Sequence, residues 1–307
     1  MASAELERAR EAVADYKAKL AGVDDSDPMV ALATVRGLDA SVIPTWSGPL
    51  DADIEKRDIN LGGISAVEVT PPGADTGRVI MYLHGGGFVL GSPETVTTPI
   101  SRAARRAKAR AILPRYRLAP ENPFPAQVED VVTAFLALLE TGVKAENVVI
   151  AGESAGGGLV LLTLLALRDG GHPLPGGAVP ISPMADFEFK GASWNDPNIG
   201  AHCFVTRELA MQNVPAFMQG QDEVAASPIN HDLTGLPPLL IQVGGDEGIQ
   251  DDGIAFGEKA KAAGVDVTIE VWDDMTHLWH NHCSFLPDAQ QALDHIADFV
   301  TAHTQGS

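Results

Sequence analysis

The sequence predicts an α/β fold: a mostly parallel central sheet, flanked on both faces by helices and topped by a helical cap. Three observations predict it. Short apolar runs of strand length alternate with helical stretches over most of the chain. Two of those runs, 79–83 and 148–151, lead straight into glycine-rich turns, His84-Gly85-Gly86-Gly87 and Gly152-Glu153-Ser154-Ala155-Gly156. The 307 residues, 45% of them hydrophobic, are enough to bury one large α/β domain or two small ones.

Residues 2–20 set Leu6, Val13 and Leu20 at helical spacing among Ala, Glu, Lys and Arg, which predicts an amphipathic helix. A break at 24–28 leads to a second short helix, 30–38, and 44–49 reads as a loop bounded by prolines. Residues 54–60 and 64–69 predict an antiparallel pair joined at Gly62-Gly63. Further strands are expected at 79–83, 109–113, 148–151, 177–181, 239–243 and 267–271, and helices at 99–108, 125–140, 159–167, 253–263 and 288–302. Residues 187–230 break this rhythm. They hold several aromatic and Met side chains but no strong strand, and predict an insertion, helical over 206–218. Such an insertion lies above the C-terminal edge of the sheet, where open α/β folds bind ligands. The expected organisation is N-terminal cap helices over 1–48, a catalytic α/β domain over 49–186 and 231–307, and a cap insertion over 187–230.

Lys and Arg number 21 against 41 Asp and Glu, a formal charge of −20. That field repels nucleic acid and anionic membrane surfaces, so neither is expected as a partner. The two cysteines, Cys203 and Cys283, are too few for a disulfide framework and fit a reduced, cytoplasmic compartment. The charged N-terminus lacks the apolar stretch of a signal peptide, and no apolar run approaches the ~20 residues of a membrane span.

Gly152-Glu153-Ser154-Ala155-Gly156 has the form of a nucleophile elbow, a strained strand-to-helix turn that exposes a serine. The strand before it and the apolar helix after it supply the required context. The turn His84-Gly85-Gly86-Gly87 can aim backbone N–H groups at an oxyanion, and Gly86, Gly87 and Ala155 are the expected donors. A serine hydroxyl becomes a nucleophile with a base, and the base needs a carboxylate to fix its tautomer. After an elbow the acid and then the histidine follow in chain order. Asp246, Glu247, Asp251 and Asp252 are the acid candidates. Asp246 comes directly off the strand end and is preferred, while Asp251 and Asp252 are expected to cap a helix. His277, His280, His282 and His295 are the histidine candidates. His277, soon after a strand end, is preferred, and His295 falls mid-helix. His277, His280, His282 and Cys283 lack the second cluster that a metal site needs, so no metal is expected.

With these parts assembled, the chain resembles the hormone-sensitive-lipase-like branch of the α/β-hydrolases, the bacterial esterase family IV. The resemblance spans most of 79–300. It rests on His84-Gly85-Gly86-Gly87-Phe88, on Tyr116-Arg117-Leu118-Ala119-Pro120-Glu121 followed by Pro123-Phe124-Pro125-Ala126, and on Ser182-Pro183, Gly245-Asp246-Glu247 and His277 in order. It implies hydrolysis of carboxylic esters, usually short to medium in acyl chain, without a metal or organic cofactor, beneath a cap. Some relatives open lactones. The chain departs from the family at Glu153, where Asp or Thr is common, and at Asp246-Glu247-Gly248-Ile249, where Asp-Pro-Leu is common.

The expected mechanism is two-step acyl transfer. Ser154 attacks, His277 moves the proton, Asp246 orients His277, and Gly86, Gly87 and Ala155 hold the oxyanion. Phe88, Trp194, Phe204, Met211 and Trp279 are candidates to line the substrate pocket, and Glu153 is expected to hold the elbow through a hydrogen bond. Cys203 reads as a buried small side chain. The same machinery also suits a lactone hydrolase or an amidase, and a non-catalytic small-molecule binder is the rival of another class. The last strand and helix are compatible with a homodimer edge.

Overall fold

The structure is a computed structural model that describes residues 2–306. The strands are β1 (Glu55–Leu61), β2 (Ile64–Thr70), β3 (Asp75–Leu83), β4 (Ala109–Pro114), β5 (Val148–Glu153), β6 (Gly177–Ile181), β7 (Leu239–Gly244) and β8 (Val267–Trp272). They form one sheet in the order β1-β2-β4-β3-β5-β6-β7-β8. β2 runs antiparallel to both of its neighbours, and all other pairs are parallel. The central strands carry apolar side chains on both faces, as a sheet covered on both sides requires. Val79, Met81 and Leu83 enter one core and Ile80 and Tyr82 the other, the period-two alternation of a strand.

Helices α3 (Pro93–Ala107) and α9 (Pro287–His303) cover one face, and α4 (Ala126–Glu140), α5 (Ala155–Asp169) and α8 (Gln250–Ala262) the other. α5 is buried almost all round, which explains its unbroken apolar composition. α3 begins earlier than expected, because Pro93, not Pro99, occupies its first turn, where a missing N–H is harmless.

α1 (Ala4–Ala21) and α2 (Pro28–Ser47) precede the sheet. α2 is longer than the sequence suggests. It continues through Pro44 to Ser47, so the expected loop at 44–49 is mostly helix. The carbonyl that Pro44 leaves without its N–H partner belongs to Ala40, which is exposed to water. Val13 and Tyr16 of α1 pack with Ile43 and Trp46 of α2 in a third, small core, and Phe204 of the 187–230 segment packs against it. That segment holds α6 (Arg207–Met218) and the single turn α7 (Glu223–Ala226). No helix among the described residues is long and apolar enough to cross a membrane.

Candidate active site

β5 ends at Glu153 and α5 begins at Ala155, so Ser154 is the entire connection. Its backbone sits at φ 57°, ψ −122°, a conformation that L residues rarely adopt and that must be held by its surroundings. Three hydrogen bonds hold it: its N–H donates to Ile181 O (2.8 Å), and its carbonyl accepts from Gly158 N (2.9 Å) and Met184 N (3.2 Å). The turn works only if the helix starts hard against β3. A Cβ on Gly156 would collide with the carbonyl oxygens of Leu83 and His84. Ala155, as the first helical residue, has an N–H without an intrahelical acceptor.

The loop after β3 is a tight glycine turn. Gly86 takes φ +112°, and its carbonyl accepts from Val89 N (3.0 Å) and Leu90 N (2.8 Å). His84 braces the turn from within. Its Nδ1 meets Gly85 O at 2.8 Å, and its ring stacks on Tyr116 with centroids 4.3 Å apart. Burial pushes His84 down to about 4, so the imidazole is neutral there. Glu153 is fully buried and accepts a hydrogen bond from the Tyr82 hydroxyl (3.0 Å), tying the elbow to β3. Burial raises its carboxyl to about 7.

The acid is where the structure corrects the sequence. Glu247, not Asp246, meets His277, with Oε2 2.6 Å from Nδ1 and both side chains almost wholly buried. Its other oxygen accepts from the Ser182 hydroxyl (2.7 Å) and Gly244 N (2.6 Å), so three partners fix the carboxylate. Asp246 faces away, into the 187–230 segment, where it accepts from Gly200 N (2.7 Å) and pairs with His202 Nδ1 (2.6 Å). The physical reason lies in the two glycines before it. The chain continues past the end of β7 along the 272–275 turn, with Gly245 N bonded to Trp272 O and Asp246 N to Met275 O. The inward direction then falls to the next residue, and the longer Glu side chain spans the gap.

The remaining candidates take structural positions. Asp251 accepts from Ser193 N (2.9 Å), and Asp252 from Trp194 Nε1 (3.1 Å) and Asp186 N (3.2 Å). They tie the insertion to α8 rather than cap that helix, whose N-cap position is Ile249. His280 bonds Gln242 (2.8 Å), His282 stacks on Trp46 and His295 pairs with Glu270 (2.9 Å). Among the described residues, no group of three or more His, Cys, Asp or Glu side chains is arranged to hold a metal. Cys203 is buried, and burial, reinforced by Glu247, pushes its thiol up to about 12, which leaves it a poor nucleophile.

Ser154, His277, Gly86 and Gly87 all face one cavity of about 630 Å³ between the sheet edge and the cap. Of the five expected pocket residues, only Phe204 lines it, with its ring 5.6 Å from that of His277. Phe88 turns into the core and stacks on Phe217 at 3.8 Å. Trp194 packs edge-on against Phe189, and Trp279 is buried beside His280 on the far side of the sheet. Met211 sits on the solvent side of α6, 47% exposed. The sequence places the N-terminal helices in the cap, but it singles out none of the α2 side chains that line the cavity, Leu32, Val35, Asp39 and Ile43, and the last two lie beyond the helix end expected at 38.

A family profile described as an alpha/beta hydrolase fold matches residues 80–281. The chain is 41% identical over 249 residues to an acetyl-hydrolase of Streptomyces hygroscopicus, covering 80% of this chain and 83% of that protein. A solved esterase from the bacterial hormone-sensitive lipase family superposes with a TM-score of 0.91 at 38% identity, over 99% of both chains. The esterase EstE5, in a crystal soaked with p-nitrophenyl butyrate, superposes with a TM-score of 0.88 at 37% identity, over 98% of this chain and 99% of that one. The chain belongs to the α/β-hydrolase family, in its bacterial hormone-sensitive-lipase-like branch of esterases.

Proposed function

We propose that this chain, a carboxylic ester hydrolase, cleaves short- to medium-chain esters through an acyl-enzyme on Ser154. The observation that carries this reading is the buried Glu247–His277 pair, whose histidine lines the same cavity as the elbow serine. His277 takes the proton of Ser154 as it attacks the ester carbonyl. The oxyanion is received by the N–H groups of Gly86, Gly87 and Ala155. His277 then protonates the leaving alcohol, and in the second step it activates the water that releases the acid. Glu247 fixes the imidazole tautomer with its proton on Nδ1 and stabilises the imidazolium that forms in each step.

The cap in this reading is α1, α2 and the 187–230 segment, which close the cavity and limit the length of acyl chain it admits. The name of the Streptomyces relative and the ester soaked into EstE5 support a short acyl group. Both cysteines are buried free thiols, which suits a cytoplasmic setting.

The test is hydrolysis of p-nitrophenyl acetate, butyrate, octanoate and palmitate by wild type and Ser154→Ala. The expected result is a rate highest on the two short esters and lower by about four orders of magnitude in the variant. Activity that survives Ser154→Ala, or that is highest on palmitate, contradicts the proposal.

A further inference from the structure

The cavity over Ser154 is lined largely by aliphatic side chains and glycine backbone, yet the cap brings one half-buried carboxylate into it. Asp39, on α2, is half-buried, and its one hydrogen bond is a long one, 3.4 Å, accepted from the Tyr16 hydroxyl. Its helix is firmly placed. Three residues earlier Arg36 donates to Val89 O (2.8 Å), Ala119 O (3.0 Å) and the Glu121 carboxylate, fastening α2 to the glycine-turn loop and to the segment between β4 and α4. No Lys or Arg lines the cavity among the described residues. The other acids that line it are Glu153, which is bonded to Tyr82 beneath the elbow, and Asp25, which is exposed.

We propose that Asp39 is a specificity-determining residue that receives a cationic group, an ammonium, carried by the ester substrate. The proposal rests on the serine-esterase reading above. A carboxylate held in a cavity of low polarity, without a cation of its own, interacts with an incoming charge far more strongly than it would in water. An anionic substrate is repelled, and a neutral one leaves the carboxylate desolvated and unpaired. A cation satisfies it. Burial raises Asp39 to about 6, against the Tyr16 hydrogen bond that favours its charged form, so it is ionised under mildly alkaline assay conditions. Asp39 and Glu153 line the same cavity, and the field of Asp39 adds to the burial that favours the neutral form of Glu153.

The experiment compares acetylcholine with its uncharged isostere, in which a tert-butyl group replaces the trimethylammonium. Wild type, Asp39→Asn and Glu140→Gln are assayed at mildly alkaline pH. The expected result is a kcat/KM ratio, charged over neutral, of about ten or more in wild type. That ratio falls to near one in Asp39→Asn and is retained in Glu140→Gln, which removes the same charge from an exposed position outside the cavity. The retained ratio separates Asp39 from the general field of a protein carrying −20 charges. A wild-type ratio near or below one, or an equal ratio in all three proteins, overturns the inference while hydrolysis of the neutral ester leaves the esterase reading standing. Failure of folded wild type to hydrolyse either ester overturns both. Should Asp39→Asn not fold, wild type alone decides. Choline is expected to inhibit hydrolysis of the neutral ester about tenfold more tightly than the uncharged isosteric alcohol, and equal inhibition sinks the proposal.

Discussion

Glu247 Oε2 stands 2.6 Å from Nδ1 of His277, and both side chains are shut off from water. Asp246, the adjacent residue, stands equally close to a different histidine, His202, which is 44% exposed. Two His–carboxylate pairs thus sit side by side, one facing the nucleophile and the other fastening the insertion. Glu247→Gln is expected to keep the shape but lose the charge that stabilises the imidazolium, lowering kcat on p-nitrophenyl butyrate by about three to four orders of magnitude. Asp246→Asn touches neither Ser154 nor His277 and is expected to cost no more than about tenfold. Steady-state kinetics on both variants check this, and the opposite ranking would restore Asp246 as the orienting acid.

How far the sequence reveals the molecule depends on whether a residue's role is fixed by its neighbours in the chain. The elbow is local: strand, turn and helix are contiguous, and Ser154 is legible from the few residues around it. The strand set is legible for the same reason, since the apolar runs of β5 and β7 match the sheet closely. The acid is not local. Choosing between Asp246 and Glu247 depends on how the backbone leaves β7 and on Ser182, 65 residues away, which bonds Glu247 and not Asp246. The pocket is the least legible part, because it is built between distant segments. Phe88 and Trp279 are apolar and close in sequence to catalytic positions, yet each turns into a core, while α2 reaches over the site from the other end of the chain.

The glycine turn offers a graded test of the oxyanion hole. At Gly86 an added Cβ meets the backbone of Leu90, and φ +112° is a conformation that Ala resists. At Gly87 the obstacle is the side-chain amide of Asn213, which can rotate away, and φ +60° is the milder left-handed region. Gly86→Ala is therefore expected to lower both thermal stability and kcat, with about a hundredfold or greater loss in kcat. Gly87→Ala is expected to retain more of each. Thermal melts alongside kinetics distinguish them, and equal stability of the two variants would count against this account.

Glu153 braces the elbow through Tyr82, and its replacement leaves a buried hydroxyl without its acceptor. Glu153→Ala is expected to destabilise the fold by about 1–3 kcal/mol and to reduce kcat, because the strained Ser154 backbone loses part of its support. Glu153→Gln, which keeps an acceptor for Tyr82, is expected to recover most of both. An alanine variant with full activity and an unchanged melting temperature would show that the brace is not needed.

The buried titratable groups set opposing limits on stability. Burial pushes His84, His280 and His282 down to about 4, 3 and 4, below the ~6.5 of an unfolded histidine. The native state binds fewer protons there than the unfolded chain. The stability they contribute is complete above about pH 6.5 and is lost as the pH falls toward 3–4. Burial has the reverse effect on Glu153 and Asp252, raised to about 7 and about 8. Their contribution is complete below the ~4 of an unfolded carboxyl and is lost as the pH rises through 7 and 8. The melting temperature should therefore peak near pH 6 to 7 and fall on both sides. Replacing Glu153 by Gln, whose neutral amide carries no such penalty, is expected to flatten the alkaline arm by a few degrees and leave the acid arm in place. Melts of wild type and Glu153→Gln from about pH 4 to 9 test this. An alkaline arm of unchanged slope in the variant would mean that Glu153 does not hold its proton in the native protein.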